Sequence, residues 1–145
     1  MHLEDWRKNG WLIEHRTSRR EIQDLLTVAD RDLADSHVKG LSADLRLNIA
    51  YNAALQLATA ALAAEGYRAA RESHHYRIIQ SLAKTVALDG PAVAVLDAFR
   101  KKRNLSGYER AGLISDIEAE EMAQLAEQLR EMIVHWMKEK HPNLV

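Results

Sequence analysis

The sequence predicts an all-α protein, an up-and-down helical bundle of about five helices. Apolar residues recur at helical spacing nearly everywhere, with no sustained two-residue alternation. Two prolines and six glycines interrupt 145 residues, too few for a fold of short strands and tight turns. Two capping boxes, Ser18-Arg19-Arg20-Glu21 and Ser115-Asp116-Ile117-Glu118, mark helix starts where a hydroxyl and a carboxylate can satisfy orphan amides.

Residues 1–17 carry Trp6, Trp11, Leu12 and Ile13 among charges, and read as an arm or a short helix docked by its tryptophans. Residues 18–141 form the bundle and 142–145 a tail. From Ser18 a helix buries Ile22, Leu25, Leu26, Ala29 and Leu33, fading near His37 before Gly40. A second helix runs from Ser42 to Gly66, a suitable C-terminal stop. It is apolar on almost all sides and should be the central helix. A third, about Ser73 to Leu88, shows Tyr76, Ile79, Leu82, Ala83 and Val86 on one side. A short fourth helix, from Pro91 at its first position to about Asn104, breaks at Gly107. A long final helix starts at Ser115, with Met122, Leu125, Leu129, Met132 and Trp136 as its packing seam.

Composition removes several function classes. Without cysteine there are no disulfides, thiolate chemistry, zinc fingers or iron–sulfur clusters, and with no signal-like N-terminus the expected location is the cytoplasm. A net charge of -1 gives no global field for nucleic acid, so any such binding needs a local patch. The charge-free run Leu47 to Ala64 has the length of a membrane span. Asn48, Asn52, Gln56 and Thr59 share one face of it, costly in lipid and natural in a bundle. Buried amides need partners: within the core, along a groove, or at a homodimer seam. None of the seven histidines forms a His-x-x-x-His or Glu-x-x-His pair, so no metal and no cofactor is expected. No glycine-rich phosphate loop or nucleophile elbow occurs.

The segment Arg103-Asn104-Leu105-Ser106-Gly107-Tyr108 concentrates what chemistry there is. At about 100° per residue, Arg103 shares a stripe with Ala92, Leu96 and Phe99, while Lys101 and Lys102 point elsewhere. A guanidinium keeps its proton, so a half-buried one must meet carboxylates, carbonyls, an amide or a phosphate. Arg100, Lys101, Lys102, Arg103 and Arg110 form the densest basic cluster, whose lysines also suit a solvated helix end.

Three stretches together resemble the HEPN superfamily of higher eukaryotes and prokaryotes nucleotide-binding domains. Asn48-Ile-Ala-Tyr-Asn-Ala-Ala-Leu, closing at Glu65-Gly66-Tyr67-Arg68, is similar to the family's central helix, and Glu72-Ser73-His74-His75-Tyr76 to the start of its next one. Arg103-Asn104 with Tyr108 resembles its polar motif. The resemblance implies a homodimer with the arginine motifs meeting near the interface, and a metal-independent endoribonuclease or an inactive RNA-, nucleotide- or partner-binding module. The setting it implies is a toxin–antitoxin or defence system with a nucleotidyltransferase-type partner. It makes Arg103, Asn104 and Tyr108 the candidate catalytic residues, with Asn48, Tyr51, Asn52, Lys102 and Arg110 as binding residues. Tyr108 stands where ribonucleases of the family have histidine. A phenol titrates near pH 10, far from neutrality, so the expectation is a binding module without strong ribonuclease activity. His74 or His75 would have to reach that motif through space. A third alternative is a purely structural network.

Overall fold

The computed structural model describes residues 2–106 and 114–145, with side chains at 104–106 outside that description. The expected break at Gly107 and the candidates Tyr108 and Arg110 therefore lie outside the described residues. The fold is all-α, with six α-helices among the described residues: α1 (Leu3–Lys8), α2 (Arg19–Asp35), α3 (Ala43–Ala64), α4 (His74–Ser81), α5 (Gly90–Ser106) and α6 (Asp116–Lys140). A 3-10 turn, Pro142–Leu144, ends the chain.

The second helix of the sequence, α3, is the centre of the bundle and packs against α2, α4, α5 and α6. Its residues Leu47, Ala50, Tyr51, Ala53, Ala54, Leu57, Ala58, Ala60 and Ala61 are all 0 % exposed. Alanine on several faces lets four neighbours approach one axis closely. Among the described residues it is the one helix long and apolar enough to cross a membrane, and 67 % of that window is buried inside the protein.

The first bundle helix begins where expected, Ser18 Oγ accepting from the Glu21 amide at 3.1 Å. The Glu21 carboxylate does not complete the box. It accepts instead from Thr17 Oγ1 and meets His15 Nε2, each at 2.7 Å, which ties the N-terminal segment to α2. At Ser115 the box is complete.

Two short strands depart from the expectation of helices alone. β1 (Leu12–Glu14) pairs antiparallel with β2 (Tyr67–Ala69), Leu12 opposite Ala69 and Glu14 opposite Tyr67. Three residues are too few for a period to show, and the pairing joins segments far apart in sequence. Gly66, at φ +95°, turns the chain out of α3, and its carbonyl accepts from the His15 amide at 2.8 Å. In the N-terminal segment Trp6 is buried, edge-on to Trp11 at 5.9 Å.

The third bundle helix is shorter than the expected 73–88. It ends at Ser81, whose hydroxyl donates to the Ile78 carbonyl at 2.6 Å. Bonds from the amides of Leu82, Ala83 and Lys84 to carbonyls three residues back tighten the chain into turns, leaving Ala83 exposed and Ala87 at φ +56°. The helix carrying Arg103 is longer than expected. Asp89 caps it, its Oδ1 accepting from the Ala92 amide at 2.8 Å, so Pro91 lies in the first turn, where no partner for its nitrogen is required. In α6 the buried stripe is Met122, Ala126, Leu129, Ile133 and Met137, while Met132 is exposed. The expected seam assumed a 3.5-residue repeat. A straight helix drifts from it by about 20° every seven residues, and the core follows the helix.

Candidate functional site

The C-terminal half of α5 meets α3 and the start of α4, and most of the polar chemistry of the chain converges there. Arg103 lies where its register puts it. Leu96 and Phe99 on its stripe are buried, Ala92 and Arg103 are half-buried, and Lys101 and Lys102 are exposed. The Arg103 guanidinium sits over the Tyr51 ring, 5.3 Å from its centroid. A cation over an electron-rich ring face is attracted by the ring quadrupole, which helps to orient it.

Tyr51 is wholly buried, and its hydroxyl has no hydrogen-bond partner among the described residues. Burial pushes its pKa up to about 12, against the opposing pull of Arg103 and Arg100. It is therefore a neutral phenol at physiological pH, a donor rather than a base. Asn48 lies one turn earlier on α3, and its Oδ1 is also buried without a partner among the described residues. Asn48 came from the polar pattern of this helix and Tyr51 from the family resemblance, and both carry unspent hydrogen-bonding capacity.

His75 supplies what the motif's own spacing did not. Its ring lies 6.2 Å from that of Tyr51 and 5.9 Å from that of His74. Its pKa is lowered, first by burial and then by the Arg103, His74 and Arg100 charges. A neutral imidazole beside an arginine can accept a proton and, once protonated, can hold an anion. Ser73, at φ +51°, makes the left-handed step into α4 immediately before this pair.

The cation cluster is partly paired. Arg100 Nε donates to Asp97 Oδ1 at 2.7 Å, and Lys101 Nζ lies 3.5 Å from Asp97 Oδ2. Lys102 pairs with Glu118 of α6, holding α5 to the start of the last helix. Residues 97–103 hold four cations and one carboxylate.

Of the other candidates, Asn52 is turned to a different neighbour. Its Nδ2 donates to Asp32 Oδ2 of α2 at 2.6 Å, and Asp32 is buried. Thr59 Oγ1 donates to the Leu55 carbonyl at 2.7 Å within its own helix. Part of the polar stripe thus serves the core. Asn104 belongs to α5, with its side chain outside the described residues. Among those residues, no group of histidine and carboxylate side chains could hold a metal ion.

The arrangement suits a negatively charged oxygen presented to Arg103, with Tyr51 and His75 beneath and beside the guanidinium. Sequence reasoning named Arg103 and Tyr51 and left His75 aside, because proximity between α4 and α5 carries no signal in linear spacing. No protein-family model matches the chain, and no curated protein matches it.

Proposed function

We propose that this chain is a HEPN-like, homodimeric, cytoplasmic module that binds RNA or nucleotide phosphate through Arg103, in a toxin–antitoxin or defence setting with a nucleotidyltransferase-type partner. One observation carries the reading: a half-buried arginine at the end of α5, seated on the Tyr51 ring and flanked by His75 and Arg100. A structural salt bridge needs no orphaned phenol and no neutral imidazole beside it. Phosphate recognition uses all three, a bidentate guanidinium contact backed by two hydrogen-bonding groups.

The test is binding of a short labelled RNA by fluorescence anisotropy. Arg103→Ala should weaken binding at least tenfold and flatten its salt dependence, because each phosphate contact releases counterions. Unchanged affinity and slope in Arg103→Ala would overturn the reading. A sharp fall in melting temperature with binding intact would favour the purely structural network.

The depressed pKa of His75 favours a second reading, a metal-independent endoribonuclease. His75 would take the proton of a ribose 2′-hydroxyl as that oxygen attacks phosphorus. The P–O5′ bond would break and the 5′-oxygen would take a proton from solvent water, giving a 2′,3′-cyclic phosphate, with Arg103 stabilising the charge on the phosphorane. Cleavage of RNA by the purified protein, lost in both His75→Ala and Arg103→Ala, would establish it. Normal growth on expression without a partner protein would count against it.

A further inference from the structure

A ladder of alternating rings and cations runs from the N-terminal arm to the anion position. The Arg77 guanidinium stacks on Trp11 at 3.7 Å and lies 6.0 Å from Trp6. On its other flank it lies 5.4 Å from Tyr76, and Arg100 lies 5.4 Å from the same ring. Docking of the arm explains Trp6 and Trp11, which are packed on the core. It does not explain Tyr76, a half-buried ring with two guanidinium groups within 5.4 Å of its centroid.

Resting on the phosphate-binding reading above, we propose that Tyr76 and Arg77 form a stacking position for an unpaired nucleobase of an RNA strand whose phosphate lies at Arg103. Three features converge. Arg77 has rings as its partners among the described residues, so its charge stays available to the strand. Residues 68–77 add Arg68 of β2 and Arg71 of the connection to α4, against the single carboxylate of Glu72. Arg100, which lies over Tyr76, and Arg103 are three residues apart on α5, about 4.5 Å along the axis, within the reach of a single nucleotide. Aromatic rings and guanidinium planes along a cationic track are how proteins hold single strands, because every base offers a π-face while paired bases hide theirs.

The experiment uses the full chain and three labelled probes of about 12 nucleotides, the scale of single-strand sites: a mixed-sequence single-stranded RNA, its duplex, and an abasic strand. The single strand should bind about tenfold more tightly than either of the others. Tyr76→Ala should lose most of that advantage and leave duplex and abasic binding unchanged. Tyr76→Phe, which keeps the ring, should retain it, and this separates stacking from any loss of fold. Equal affinity for all three probes, unaltered by Tyr76→Ala, overturns the stacking position and leaves phosphate recognition standing. Failure to bind any of them overturns both. Competition by an oligo-aspartate peptide as effective as unlabelled RNA would reassign the surface to an acidic protein segment and overturn the inference.

Discussion

Tyr51 holds a conflict that decides what the site costs. Its hydroxyl is buried without a partner among the described residues, and an orphaned polar group of this kind costs about 1–3 kcal/mol. Tyr51→Phe removes the orphan, keeps the ring under Arg103, and should therefore stabilise the fold by about 1 kcal/mol in urea unfolding. On the phosphate-binding proposal, the same change should weaken RNA binding, because a donor for the anion is lost. Stabilisation without loss of affinity would show that the phenol serves packing alone. His75 makes the second residue-scale prediction. Its folded pKa lies below the ordinary 6.5, so between the two values the unfolded chain binds more protons than the folded one. Its contribution to stability is complete above about pH 6.5 and is lost as pH falls through the depressed value. Anion binding must move the other way, tightening as His75 gains charge over that window. Unfolding curves and RNA titrations from pH 7.5 to 5 check both signs, and His75→Ala should flatten both.

At the scale of elements, the two capping boxes look identical in sequence and behave differently. At Ser115 the hydroxyl and the Glu118 carboxylate serve each other's amides, so Ser115→Ala should cost about 1 kcal/mol, read from thermal unfolding. At Ser18 only the hydroxyl caps, and Glu21 serves His15 and Thr17. Glu21→Ala should leave α2 intact and speed hydrogen exchange in residues 12–16, as measured by mass spectrometry. Protection unchanged in that segment would show that strand pairing alone holds it. This contrast marks where sequence reading stops. Helix starts at Ser18, Ser42 and Ser115, the central position of α3 and the stripe carrying Arg103 were legible, because caps and periodicity are local. The β1–β2 pairing, the diversion of Glu21 and the arrival of His75 beside Tyr51 were not. Each depends on contacts between segments distant in sequence, and no spacing rule encodes those.

At the scale of the whole molecule, the proposed homodimer needs a face that one chain leaves open. Between α5 and α6 a groove is lined by Val95, Phe99, Leu96, Leu125, Leu129 and Met132, in two connected hollows of about 270 and 150 Å³. Val95 and Met132 stand at its edge, 47 % and 40 % exposed, large apolar side chains with no core to serve. A second copy laid across α5 would cover them. A stable interface of this kind buries about 800 Å² per partner, more than the groove alone provides, so α5 itself must take part. Sedimentation should then give twice 16.4 kDa for the wild type. Val95→Glu, which places a charge in the seam without touching the core, should yield a monomer of unchanged melting behaviour. A wild type that sediments as a single 16.4 kDa species would remove the homodimer, and the phosphate position at Arg103 would then have to act within one chain. A dimer unaffected by Val95→Glu and Met132→Glu would place the interface elsewhere. RNA affinity measured on the monomeric variant tells whether two Arg103 sites act on one strand, because losing the second site removes the gain from linked binding while leaving each contact intact.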